Sequence, residues 1–367
     1  MGKLWDRTQD ADGKSKLNEV DLATLRINAP TLVYLSGFLT NNNRPDYVAG
    51  GIKRMEELLK DRTGSEPAPK IYAWSHTSLK NLFNLALYNM RPKTRSSDAG
   101  YDLGAGVLMP LVAASFKRNA DGSLEGTPVP LEDAKKNLSN VTFFGYSAGS
   151  IVAQETFNAT MQMMQKIGFA EKDARRALNE VVLVSAGSIS RPSKETNRFK
   201  TIYLVASNDR IMRMKNWIWG TMGTALRTAF GKYGWRKNSK DLTVRPLSDT
   251  SVFISTSVKP ELHEIKYDAD GKPADKKPIQ PLYPAWTLRR SYHELPHYIT
   301  IDDNNNAFAR IALYALTNAI TRRGDVAAID LISPPQQDSH SAEAQAAYRS
   351  RIEQALRPAP AAFVQNR

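Results

Sequence analysis

The 367-residue sequence predicts an α/β protein with a mostly parallel central sheet and helices on both of its faces. Three observations lead there. The strand-like runs 31–35, 70–74, 141–144, 180–187 and 201–206 are apolar almost throughout and do not alternate, the pattern of strands buried on both faces. Segments with helical spacing separate them, which is the rhythm of parallel crossovers. The turn Gly145-Tyr146-Ser147-Ala148-Gly149 joins one of these strands directly to a long helix-prone segment.

Taken in order, residues 1–29 are polar and charged and read as an N-terminal extension to a domain covering 30–330. Thr31–Leu35 is the first buried strand and ends in Ser36-Gly37, before a polar loop and a helix over Tyr47–Lys60. Lys70–Trp74 is the second strand, followed by a helix carrying Leu79, Leu82, Phe83 and Leu87. Leu103–Phe116 reads as a helix rich in small residues, then comes a turn at Asp121-Gly122 and a short helix over 131–138. After the Gly145–Gly149 turn, Ser150–Lys166 is helical, with Met161, Met163 and Met164 as core filling. Regularity fails between about 210 and 292, which reads as an inserted cap or lid that includes the β-prone run Ser251–Ser255. A strong helix follows at Ala307–Thr321, capped by Asp302 and Asp303, and 331–367 is a C-terminal helix and tail.

Composition sets outer limits. Hydrophobic content of 41% and charged content of 24% are those of an ordinary globular chain. With no cysteine, disulfides, thiolate metal sites and a cysteine nucleophile are excluded. No apolar run approaches the roughly 18 residues of a membrane span, and the N-terminus has no apolar signal region. A cytoplasmic protein is the expectation, although a signal-independent export route leaves the same pattern. The balance of 50 basic against 37 acidic residues favours anionic partners in general. Nucleic acid is not expected, because the basic residues are dispersed and no recognition motif accompanies them.

The chemistry centres on Ser147. In a strand–turn–helix context, G-x-S-x-G places the serine on a strained turn, with its Oγ held in the open and the positive end of the helix behind it. Glycines flank it because a Cβ would clash where strand and helix close on each other. The bland alternative is an ordinary βα turn. A nucleophilic serine needs a base to take its proton and an acid to orient that base. Asp209 follows the strand 201–206 at the sheet's carboxyl edge, where strand ends converge on a site; its other reading is a helix N-cap. Of five histidines, His76 precedes the nucleophile, His263 lies in the insertion and His340 in the tail. His297, just ahead of the last strong helix, is the candidate base, with His293 as the alternative. For the oxyanion, the backbone N–H of Ala148 is one donor and that of Phe38, after Ser36-Gly37, the other.

Gly145–Gly149, Ser207-Asn208-Asp209 and Pro296-His297-Tyr298 together resemble the α/β-hydrolase superfamily of serine esterases and lipases. The resemblance covers roughly 30–325 and lies in ordered motifs. It implies an eight-stranded, mostly parallel sheet and acyl transfer through an acyl-enzyme, with Ser147 as nucleophile, His297 as base and Asp209 as orienting acid. Many members carry His-Gly in the oxyanion loop, where this chain has Ser36-Gly37. No cofactor or metal is called for.

The expected function is hydrolysis of carboxylic esters, with a lipid-like acyl substrate suggested by the insertion. Residues 210–240 hold eight Lys or Arg and no acid, interleaved with Trp217, Trp219 and Trp235. Such a segment fits a lid that meets an anionic membrane surface, or a cap helix packed on the domain with its charges solvated. The competing function is a non-catalytic scaffold of the same fold that binds an anionic partner.

Overall fold

The computed structural model describes residues 2–9, 15–37, 45–60, 69–75, 97–119, 123–188, 199–207, 242–256, 295–299, 307–321, 326–332 and 350. The strands in chain order are β1 (Lys3–Gln9), β2 (Ser15–Val20), β3 (Thr31–Leu35), β4 (Lys70–Ser75), β5 (Ala113–Arg118), β6 (Leu124–Pro128), β7 (Val141–Tyr146), β8 (Val182–Ala186), β9 (Lys200–Ala206), β10 (Thr243–Ser248) and β11 (Ser251–Thr256). Nine of them form one sheet in the order β10-β11-β9-β8-β7-β3-β4-β1-β2, and β5 and β6 make a separate ribbon. From β11 to β4 all neighbours run parallel. β1 joins β4 antiparallel and β2 joins β1 antiparallel, while β10 closes the other edge against β11. The chain is therefore mixed α/β with a large, mostly parallel sheet, and that sheet has one strand more than the eight the resemblance implies.

Alternate side chains of β3, β4, β7 and β8 enter two separate cores, and β9 and β11 add to the first. Leu32, Tyr34, Val184, Ile202, Leu204 and Ile254 pack under the helices Pro45–Lys60 and Ala307–Thr321. Val33, Leu35, Phe143 and Leu183 pack on the other face against the helices Leu131–Leu138, Gly149–Lys166 and Glu171–Leu178. With both faces covered, the strands have no solvent side to mark with polar residues, which is why they read as continuous apolar runs. The helix Gly149–Lys166 is buried at every position from Gly149 to Met161. It lies between the sheet and a helical stretch formed by Asp98–Leu103, a π-helical segment Gly104–Leu108 and Met109–Val112. Two hydroxyls buried in it bond within the helix, Thr156 Oγ1 donating to the Val152 carbonyl at 2.8 Å and Thr160 Oγ1 to that of Thr156 at 2.7 Å. Met161, Met163 and Met164 are core residues.

Three stretches depart from the sequence reading. The polar N-terminal segment expected as an extension contributes β1 and β2 to the sheet. Polar pairing holds it there: Lys70 Nζ meets Asp6 Oδ2 at 2.7 Å, Arg7 pairs with Glu56 on the helix Pro45–Lys60, and the Trp5 ring nitrogen donates to Ser75 Oγ at 2.7 Å. Burial raises the Glu56 carboxyl above its ordinary range, with Arg7 pulling the other way. The helix expected over 103–116 stops at Val112, because Ala113 is extended (φ −132°, ψ 133°) and opens β5. The stretch 243–256, assigned from sequence to the insertion, belongs to the main sheet, with Val252 and Ile254 fully buried beside β9. The helix expected around residues 79–87, and 210–240, lie outside the described residues. Among the described residues no helix is long and apolar enough to cross a membrane.

Membership of β11 in the core has a thermodynamic consequence. Ile254→Ala should destabilise the protein by about 2–5 kcal/mol, as loss of a fully buried aliphatic side chain does. In an insertion lying on the surface the same change would stay within about 0.5 kcal/mol. Chemical denaturation of the two proteins separates these outcomes.

Candidate active site at the carboxyl edge of the sheet

The registers bring all six parallel strands to a common edge. Leu35 of β3 lies opposite Trp74 of β4 and Gly145 of β7, Tyr146 lies opposite Ala186 of β8, Ala186 opposite Leu204 of β9, and Ala206 opposite Thr256 of β11. The strand order reverses direction here: β4 lies on one side of β3 and β7 on the other, so connections leave the β3/β7 pair to opposite sides. In an open α/β sheet this switch point opens a crevice where ligands bind. Ser147 and Ser36-Gly37 flank it.

Ser147 directly follows β7 and has φ +52°, the single non-glycine residue with positive φ among the described residues. Holding a side-chain-bearing residue there costs on the order of 1–3 kcal/mol, so surrounding contacts must impose it. Several do. The Ser147 N–H donates to the Ala186 carbonyl at 2.9 Å, and the Ser147 carbonyl accepts from the Ser150 N–H at 3.2 Å. Ser150 Oγ, fully buried, donates to the Gly145 carbonyl at 2.8 Å and so ties the first turn of the helix to the last part of the strand. The sequence reading has the serine in the open, whereas Ser147 is 8% exposed and lies within the edge of the sheet.

Both glycines of the pentapeptide are required by close approach, though against different neighbours. A Cβ on Gly145 would sit 2.8 Å from the Ser150 Cα, which is the expected meeting of strand and helix. A Cβ on Gly149 would sit 2.1 Å from the Leu35 carbonyl oxygen and 2.8 Å from that of Ser36, so the helix start is seated on the end of β3. Gly37 closes the same contact from the other side, since a Cβ there would lie 3.0 Å from the Tyr146 ring and 3.5 Å from the Ser147 Cβ. Ser36 is anchored by its own N–H and hydroxyl, both donating to the Trp74 carbonyl, at 3.2 and 2.8 Å. The loop read as the second oxyanion element therefore starts in contact with the serine. No backbone carbonyl among the described residues accepts from the Ala148 N–H, at the start of the helix. Phe38 lies outside the described residues.

Asp209 and His293 also lie outside them, and of His297 the backbone alone is described. That backbone belongs to the short helix Leu295–Tyr298. Tyr298, its neighbour, is fully buried. Its ring centroid stands 6.4 Å from that of Tyr146, the residue before Ser147, and its hydroxyl accepts from the N–H of Ala206, the last residue of β9, at 3.2 Å. Position 297 thus adjoins a residue in contact with the ends of both β7 and β9, and β9 leads into Ser207 and on to position 209. Sequence reasoning assigned no role to Ser150 or Tyr298. Neither carries a pattern that marks it: a serine in a first helical turn and a tyrosine after a histidine are both commonplace.

Among the described residues no group of three or more His, Asp or Glu side chains is arranged to hold a metal ion. No protein-family model matches the chain, and no curated protein is similar to it in sequence.

The seating of Gly149 on β3 predicts a sharp result. Gly149→Ala must push the helix start away from Leu35 by more than an ångström or fail to fold, so melting temperature should fall steeply and any reactivity of Ser147 should vanish. By comparison, Gly168→Ala, where a Cβ meets no atom within 4 Å but φ is +110°, should cost only the backbone term of about 1–3 kcal/mol.

Proposed function

We propose that this protein is a serine hydrolase of the α/β-hydrolase type that cleaves carboxylic esters through an acyl-enzyme. The observation that carries the reading is the backbone of Ser147, a positive-φ serine in a strand–turn–helix at the switch point of a parallel sheet. An ordinary βα turn has no reason to sustain that strain, nor to flank it with two glycines whose Cβ positions are blocked by backbone and set a third, Gly37, tightly against Tyr146.

In this reading Ser147 Oγ attacks the ester carbonyl carbon while His297 takes its proton and Asp209 orients the imidazole and stabilises its charged form. The carbonyl oxygen becomes an oxyanion, held by the Ala148 N–H together with the Phe38 N–H on the loop that Ser36-Gly37 begins. Collapse of the tetrahedral species breaks the bond to the alcohol, which leaves with the proton from His297 and gives acyl-Ser147. Water, deprotonated by His297, then attacks the acyl carbon and releases the carboxylic acid. The helix behind Ser147 adds a fixed positive potential where negative charge develops. An apolar, lipid-like acyl group is the substrate class we favour, with the basic, tryptophan-bearing segment 210–240 meeting an anionic lipid surface.

A fluorophosphonate probe should label the protein at one residue, with the adduct on Ser147 by peptide mass spectrometry, and Ser147→Ala should abolish labelling and hydrolysis of p-nitrophenyl esters together. Asp209→Asn and His297→Ala should each lower kcat on the order of 10³–10⁴-fold, with KM nearly constant. Retention of full ester hydrolysis by Ser147→Ala would end the serine mechanism, and a protein inert to both probe and esters would be the non-catalytic scaffold.

A further inference from the structure

A triad drawn from three separate segments needs a part that holds the segments in mutual register. We infer that Tyr298 is that part: a positioning residue, outside the triad, whose ring and hydroxyl lock the backbone at position 297 onto the strand ends that bear Ser147 and lead to position 209. The inference rests on the serine-hydrolase reading and assigns that site a further residue.

The reason begins with where β8 stops. Its pairing with β9 ends at Ala186 opposite Leu204, and Gly187, at φ +56°, turns the chain away after a last bond from its N–H to the Leu204 carbonyl at 2.8 Å. Along a parallel strand, alternate residues direct their N–H and C=O groups to the same neighbour. Leu204 faces β8, so Ala206, two residues on, also directs its N–H to that side, beyond the point where β8 has left. A buried N–H without a partner costs about as much as a lost hydrogen bond. The Tyr298 hydroxyl oxygen accepts from it at 3.2 Å, taking the place of the missing strand.

The same side chain reaches across the position of β8. Its ring stands beside Tyr146 at the end of β7 (centroids 6.4 Å apart, planes at 54°) and stacks on Phe308 in the first turn of the helix Ala307–Thr321 (5.3 Å, 27°). One buried residue therefore touches the end of the nucleophile strand, the end of the acid strand and the helix after the histidine segment. Packing alone explains the ring, since phenylalanine would fill the same space. It does not explain the hydroxyl, which binds a strand-end amide three residues before Asp209. Loss of that bond frees the end of β9 and the short helix to shift against each other, and so weakens the pairing of acid and base.

The test is Tyr298→Phe, which keeps the ring and removes the acceptor, set beside Leu138→Ala, a fully buried control on the opposite face of the sheet. Each variant is measured for melting temperature, kcat, KM and the acid limb of the kcat profile, which reports the ionisation of the base. Tyr298→Phe should lower kcat roughly tenfold, the rate equivalent of one buried hydrogen bond, with KM unchanged and the acid limb displaced. Leu138→Ala should lower the melting temperature at least as far while leaving kcat and the acid limb in place. If Tyr298→Phe loses melting temperature but keeps kcat and the acid limb, Tyr298 is core packing and the inference is overturned. If the wild-type protein neither reacts with the phosphonate nor cleaves esters, the hydrolase reading itself fails, and the role of Tyr298 falls with it.

Discussion

The contact on which the site depends is the seating of the helix start on the end of β3. Gly149 lies so close to Leu35 and Ser36 that even a methyl group has no room, and Gly37 lies against Tyr146 and the Ser147 Cβ. That contact sets the distance between the two strands' exits and brings the loop after β3 against the residue before the helix. It also fixes the direction in which the chain leaves β7, so the positive φ of Ser147 follows from packing. A helix that started one residue later, or a bulkier residue at either glycine, would relax the turn and carry the serine away from the loop.

Support for the strained turn comes from the helix behind it. A φ penalty of roughly 1–3 kcal/mol is comparable to what one buried large apolar side chain contributes. Gly149–Lys166 buries Ile151, Val152 and Phe157 within its first two and a half turns, with Phe157 held edge-on against Phe199 and Phe199 against Phe143 of β7. The apolar anchoring therefore exceeds the strain by a comfortable margin, and the helix cannot retreat to relieve Ser147 without opening that aromatic stack. Burial on all sides is the reason this helix carries no amphipathic pattern in the sequence.

Legibility in the sequence followed burial. The parallel strands and the helices Pro45–Lys60, Leu131–Leu138, Gly149–Lys166 and Ala307–Thr321 were readable to within a residue or two at either end, because a doubly covered sheet writes its position as uninterrupted apolar runs. The edges were not. β1 is held by ion pairs and by the pairing of Trp5 with Ser75, partners 49 to 70 residues away along the chain, and β2 pairs on β1; no local pattern announces the long-range contacts. β10 carries a proline and an arginine, as edge strands do, so the neighbouring buried strand β11 was read together with it as part of an insertion. At the site, Ser147 and its glycines were legible because a strained turn admits few residue types. Tyr298 was not, because its significance comes from an amide that β8 leaves behind, which is a property of topology alone.

That difference bears on how such a site is assembled. In the proposed hydrolase site, Ser147 and the Ala148 N–H belong to the β3–β7 switch point, whose geometry is set by backbone contacts at Gly145 and Gly149 that leave no room for a Cβ. The acid and base proposed for that site, Asp209 and His297, come from later in the chain, after β9 and after β11. A hydrogen bond from the Ala206 N–H and the ring contacts of Tyr298 with Tyr146 and Phe308 are among the links between the ends of β7 and β9 and the segment 295–299. On that proposal nucleophile geometry is insured by covalent proximity and close packing, whereas the alignment of Asp209 and His297 draws on long-range contacts such as these. On the same proposal, changes distant from Ser147 in sequence, at the ends of β9 and β11 or in the first turn of Ala307–Thr321, are the ones that retune proton transfer without disturbing the turn at Ser147.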